Sequence, residues 1–253
     1  MYFVLFLLYI PTCCGFVSNV FRWSLPIQLG VHNSELTMSS IDSLFDDTNS
    51  FRVLGICGGI ASGKSTIRAA FKEIGATVID ADKIGHAVYP FVYEKLADAF
   101  GEDVMEGSKA DGGYTGVKRG ALGPIVFGSK SEMQKLNDIM WPEIRIRIQQ
   151  SLKERKNEGT TSMVVVEAAV LFEAGWEDLF DHIIVSAVDR DIAKIRLTER
   201  NKISEQDAVT RIDAQANNES RIAKADFVIW NNGTVEDLTK EVVKVHTAIQ
   251  KMN

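Results

Sequence analysis

The sequence predicts an α/β fold, a doubly wound parallel sheet of five strands with helices on both faces. Two observations carry that expectation. Apolar, β-branched runs recur at 51–57, 76–80, 162–167, 182–187 and 226–230. They are continuous rather than alternating, as strands buried on both faces require. The intervening stretches are helical in pattern, and such sheets gather ligands at the carboxyl ends of their strands. A chain of 253 residues is long enough for one core with a lobe or two appended.

Each element has its own signal. FRVLGIC (51–57) reads as the first buried strand, and GGIASGKST follows at once. The next helix places Ile67, Phe71 and Ile74 on one face, and Gly75 ends it. ATVID (76–80) is the second strand. The long gap 81–161 reads as mostly helical. There Ser129 and Glu132 make a capping-box pattern before MQKLNDIM. Trp141-Pro142 is expected to break that helix, and a new one starts at Glu143. SMVVVE, HIIVSA and DFVIW are the third, fourth and fifth strands. Between the last two lies an insertion carrying Arg190, Arg196, Arg200, Arg211 and Arg221, with a helix start marked by Ser204 and Asp207.

Residues 1–49 stand apart as a leader. MYFVLFLLYIPTCCG is apolar for ten residues, short for a membrane span, and lacks a basic start. A targeting leader, a signal anchor and a false start with Met38 as the true one are all compatible with it. A membrane association is expected only if that segment is kept as an anchor; the remainder, 50–253, would otherwise be cytoplasmic. The composition is that of a globular protein, with 25% charged and 45% hydrophobic residues. A net charge of −6 argues against nucleic acid as a partner. Cys13, Cys14 and Cys57 form neither a disulfide framework nor a metal spacing, and Cys57 reads as a small buried apolar residue.

Residues 58–66 carry the chemistry. Gly58, Gly59, Ile60, Ala61, Ser62, Gly63, Lys64, Ser65 and Thr66 match the phosphate-binding P-loop pattern. Its N–H groups and the start of the following helix suit phosphate oxygens. Lys64 is expected on the β/γ-phosphates and the Ser65 hydroxyl on Mg²⁺, so ATP and Mg²⁺ are implied. Asp80 and Asp82 end the second strand. They come beside the P-loop if the first two strands are neighbours. Asp82 is favoured as the base that takes a proton from an acceptor hydroxyl. Asp80 is assigned to support, or to a Mg²⁺-bound water, against the plain reading of a helix N-cap. Glu167 ends the third strand, where an acid could hold Mg²⁺ through water or make a local ion pair. His86 and His182 lack partners at metal spacing and read as structural or adjacent to substrate. The insertion's arginines are either a solvated face or a lid over triphosphate.

GTPase signatures fail. Asp82-Lys83-Ile84-Gly85 comes too soon after the P-loop, and Asn201-Lys202-Ile203-Ser204 has serine where guanine recognition needs aspartate. A motor or transporter ATPase would be larger or carry its own signature segments. What remains is a small kinase for a small-molecule acceptor, on a P-loop fold like that of the nucleoside-monophosphate kinases. The order GGIASGKST, GATVIDADKIGHAVY, RGALGPIVFGSKSEMQKLNDIMWPEI, VVVEAAVLFEAGWEDLFD, LTERNKISEQDAVTRIDAQ and ADFVIWNNG resembles dephospho-coenzyme A kinase over residues 52 to about 245. Trp141-Pro142 resembles the eukaryotic form, here stand-alone. The resemblance implies phosphorylation of the ribose 3′-hydroxyl of dephospho-CoA by ATP. It implies an acceptor lobe at about 85–158 and a lid at about 190–224. It places Lys64, Asp82 and Arg200 in catalysis, Arg200, Arg211 and Gln215 on ATP, and Asp80, Asp82, His86, Arg119 and Glu167 on the acceptor side. The chain departs from the family pattern at Glu167, often aspartate, at Asn201 after Arg200, and at Ile125, often basic. The alternatives are a kinase for another small acceptor, or an ATP- or CoA-binding module without turnover.

Overall fold

A computed structural model describes residues 51–252. The leader 1–49, with its targeting, anchor and alternative-start readings, lies outside the described residues. Five strands form one parallel sheet: β1 (Arg52–Gly58), β2 (Thr77–Asp80), β5 (Met163–Glu167), β6 (His182–Ala187) and β7 (Phe227–Trp230), in the order β2-β5-β1-β6-β7. All pairs are parallel. The five apolar runs of the sequence are these five strands.

Alternation within each buried run feeds two cores. Val164 and Val166 of β5 face one side, with Leu96, Leu122, Met140, Ile144 and Trp176. Met163 and Val165 face the other, with Ile67, Phe71, Val242 and Ile249. The second side is covered by α1 (Lys64–Glu73) and by α9 (Val235–Gln250), which starts with a full Thr234–Asp237 capping box. Gly75 ends α1 at φ 96°, as expected.

The other side is covered by α2 (Ala81–Ala87), α3 (Tyr89–Phe100), α4 (Arg119–Gly128) and α5 (Lys130–Glu158). One condition is not met here, one element is added to a gap that is mostly helical as expected, and one expectation is corrected. The strands β1 and β2 are not neighbours, because β5 lies between them. The gap also holds an antiparallel hairpin, β3 (Met105–Ser108) with β4 (Gly113–Val117). And Pro142 does not end its helix: α5 runs unbroken for 29 residues with Pro142 inside it. Apolar residues on both sides of the proline, Met140, Ile144 and Ile148, are buried in the core, and that packing carries the helix across the missing N–H. Ser129 caps α5 by accepting the Glu132 N–H, but the Glu132 carboxylate turns to Lys135 at 2.7 Å, so only half of the capping box forms.

Between β6 and β7 come α6 (Arg190–Asn201), α7 (Glu205–Asp213) and α8 (Asn218–Ile222). Ser204 caps α7 through the Asp207 N–H, as its position predicts. Among the described residues no helix is long and apolar enough to cross a membrane.

Candidate active site at the carboxyl ends of the strands

The loop 58–66 leaves β1 and enters α1. Gly63 holds φ 92° at the start of α1, and a Cβ there would lie 2.0 Å from Asn231 Nδ2. Gly58 is also in a glycine-favouring conformation, and its Cβ would lie 2.3 Å from Ser186 O. Neighbouring strands therefore close on the loop without room for side chains. They also bond to it. Ser186 Oγ and Asn231 Nδ2 both donate to Ser62 O, at 2.8 and 2.9 Å. Arg196 Nη1 holds the Asn231 carbonyl at 2.8 Å. Gln215 Oε1 accepts the Ile60 N–H at 2.7 Å, which places Gln215 on the loop itself. Ser65 and Thr66 are in the first turn of α1, Ser65 exposed. The result is a fixed concave backbone at a helix start, suited to phosphate.

Lys64 folds back over the loop, donating to the carbonyls of Gly58 and Gly59 at 3.0 and 2.9 Å. Burial lowers its pKa, while Glu167 and Asp82 oppose the shift. Those two acids and Asp80 gather around Arg68, which pairs with Asp80 and reaches Glu167 at 3.2 Å. Asp80 is also the N-cap of α2, accepting from the Asp82 and Lys83 N–H groups at 3.0 and 3.2 Å. Its lone pairs are thus taken by the cap and by Arg68. Glu167 is raised in pKa by burial, with Arg68 and Lys64 pulling the other way. Asp82 has no such direct cation. Burial, then Asp80 and Glu167, push its pKa from 3.8 up to about 7. A carboxylate that ionises near neutrality, faced by a P-loop lysine, is equipped to take a proton from a hydroxyl.

One helical turn beyond Asp82, Arg119 Nη2 donates to His86 Nδ1 at 3.2 Å and lies over the Tyr89 ring at 5.8 Å. Burial and Arg119 lower the His86 pKa, so the ring is neutral with its proton on Nε2. That Nε2 is buried without a partner. The lid arginines are scattered. Arg200 is exposed and bonds Asn201 Oδ1 at 2.9 Å; Arg211 is half-buried; Arg190 pairs with Asp213. Cys57 is buried, and its thiol pKa is pushed up to about 12 by burial, so it is inert. His182 packs edge-on against Phe227.

Four residues of this site escaped the sequence reading: Arg68, Ser186, Asn231 and the placement of Arg221. Asn231 had a signal, since Asn-Asn-Gly follows the fifth strand at its carboxyl end. Arg68 had none, being one charge on an amphipathic helix.

Known proteins are similar to this chain in sequence and in fold. A family model described as dephospho-CoA kinase matches residues 52–237. A dephospho-CoA kinase of Geobacillus kaustophilus is 37% identical over 195 residues, spanning 76% of this chain and 94% of that one. One of Arabidopsis thaliana is 36% identical over 203 residues, spanning 79% and 84%. The solved dephospho-CoA kinase of Campylobacter jejuni superposes with a TM-score of 0.58 at 30% identity, over 79% of this chain and 97% of that one.

Proposed function

The chain belongs to the dephospho-CoA kinase family, and on that footing we propose a role for each residue around the loop. The reaction is ATP-dependent phosphorylation of dephospho-CoA at its ribose 3′-hydroxyl, giving CoA and ADP, the last step of CoA biosynthesis. Residues 58–66 cradle the triphosphate. Lys64 exchanges its two loop carbonyls for β/γ-phosphate oxygens, which restores a full charge partner to a buried ammonium. Asp82, ionised, accepts the 3′-hydroxyl proton. The hydroxyl oxygen forms its bond to the γ-phosphorus as the β–γ bridge breaks, and ADP carries the charge away.

The observation that carries this reading is the Asp82 carboxyl, held near neutral pKa among two other acids and opposite Lys64. Glu167 and Asp80 stay with Arg68 and keep that field in place. His86 and Arg119 lie on the acceptor side, where a neutral imidazole N–H and a guanidinium suit dephospho-CoA. Residues 85–158 are assigned as the acceptor lobe and 190–224 as the lid, with Arg200 and Arg211 brought to the nucleotide on closure and Gln215 already at the loop.

The donor set fits a magnesium ion shared with the nucleotide. Among the described residues no group of three His, Cys, Asp or Glu side chains could hold a metal by itself. The exposed Ser65 hydroxyl at the loop is the hard oxygen donor that would join the phosphates. When bound, Mg²⁺ offsets charge on the phosphate oxygens.

The test is ADP release by the full chain with Mg-ATP, with and without dephospho-CoA, and mass spectrometry of the product. Dependence on dephospho-CoA with CoA appearing is expected. ADP without CoA would overturn the acceptor assignment; no ADP from protein that binds ATP would turn the reading to a binding module.

A further inference from the structure

One buried cation takes no part in the roles above. Arg221 sits on the short helix α8, yet its side chain is only 5% exposed. Its Nη1 donates to Ala216 O at 2.6 Å and its Nη2 to Glu173 Oε1 at 3.1 Å. Its Nε is buried with no partner. Nη1 also stands 3.8 Å from the position of a Cβ on Gly59, beside Gln215 Oε1 and Asn218 Oδ1. The guanidinium therefore lies over the first half of the P-loop. Lys64 reaches back from the second half to the carbonyls of Gly59 and of its neighbour Gly58.

A purely structural explanation fits this poorly. A guanidinium has five donors, and one buried for packing would have them filled and a buried carboxylate of its own. Arg221 has an unfilled donor and one carboxylate, Glu173, that is 36% exposed. It also stands close enough to Lys64 to repel it. Burial lowers the Lys64 pKa most, and Arg221 lowers it further. Two cations directed at one loop are stabilised together by an anion that both can touch. A guanidinium fork suits the non-bridging oxygens of a polyphosphate.

We propose that Arg221 is a phosphate-binding residue of the nucleotide site, meeting the polyphosphate across the loop from Lys64 and held in aim by Glu173. The inference rests on the reading that residues 58–66 hold ATP, and does not depend on which acceptor is phosphorylated. It ranks the insertion's arginines differently from the sequence, which favoured Arg200 and Arg211: Arg221 needs no lid movement to be at the loop.

Calorimetric titration of the full chain with Mg-ATP, ADP and AMP tests it. Arg221→Gln should weaken ATP and ADP by about 10- to 100-fold, the range of a charge-assisted contact, and AMP by less than about threefold. Glu173→Gln keeps an acceptor for Arg221 but removes a negative charge from beside the phosphates. It should tighten ATP by about two- to fivefold and leave AMP unchanged. An equal loss for all three nucleotides in Arg221→Gln, or unchanged ATP affinity, overturns the proposal. If that variant does not fold, Glu173→Gln decides alone, and ATP affinity that is unchanged or weaker relative to AMP overturns it. A wild-type chain that binds ATP but forms no CoA would instead refute the acceptor assignment, leaving these ratios readable.

Discussion

Replacing Asp82 with asparagine removes one charge and changes almost no volume, so it separates what that charge does for catalysis from what it does to the fold. Without a base, the transfer must proceed with the hydroxyl proton passing to water. A positioned general base contributes about 10²- to 10⁴-fold, so kcat should fall by that much while KM for ATP moves little. In the wild type, kcat/KM should rise with pH through about 7, where the free carboxyl ionises, and then level off. Asp82→Asn should lose that rise.

The effect on stability has the opposite sign. The folded pKa, about 7, lies above the ordinary 3.8, so the folded state holds the proton more tightly than the unfolded chain does. Asp82 therefore costs nothing below about pH 4, and its burial penalty grows as pH climbs through 7. Each tenfold change is about 1.4 kcal/mol, which caps the penalty near ~4 kcal/mol at pH 8. Urea unfolding of both proteins at pH 5 and pH 8 reads it directly. The variant should gain on the wild type between those two pH values while losing activity at both. Activity retained within tenfold, or a stability difference that does not change with pH, would refute the reasoning, because each follows from one buried, ionisable carboxylate.

Three further substitutions test the frame that holds the site. Gly63→Ala forces a Cβ into Asn231 at a φ of 92°; it should cost about 2–3 kcal/mol in urea unfolding and abolish ATP binding measured by calorimetry. Arg68→Met leaves Asp80 and Glu167 facing each other, mostly buried, with no cation between them. A loss of about 3 kcal/mol is expected at pH 8, shrinking as pH falls and the unpaired charge is protonated. Pro142→Ala returns an N–H to the middle of α5 and should stabilise the protein by about 1–3 kcal/mol, read as a higher melting temperature; a lower one would mean that the proline itself is needed to seat Met140 and Ile144.

What could be read from the chain beforehand follows the range of the forces involved. The five sheet strands were legible because each lies between two cores and must be apolar on both faces. The β3–β4 hairpin was not, because it has almost no apolar alternation. Its turn, Asp111-Gly112-Gly113, was the available signal, and both glycines do hold positive φ. Pro142 misled because a local rule was applied where tertiary packing decides. At the site the P-loop was legible for the opposite reason: nine consecutive residues carry its geometry. The contacts that hold it in place come from Ser186 and Asn231, 124 and 169 residues away from Ser62, and require the order β1-β6-β7.

The arginines of the insertion show where sequence reasoning must stop. Five like side chains in a charged stretch cannot be ranked by spacing, since a solvated face and a lid have the same pattern. Burial separates them. Arg190 is exposed and paired with Asp213, Arg200 is exposed and paired with its neighbour, and Arg196 serves the Asn231 carbonyl. Only Arg221 is withdrawn from water and directed at the loop, and desolvating a guanidinium costs several kcal/mol unless charge and hydrogen bonds are returned to it. Glu173, partly solvated, returns some of that. The phosphates of a bound nucleotide would return the rest, so the energy of binding should rise with the number of phosphates for as long as Arg221 is present.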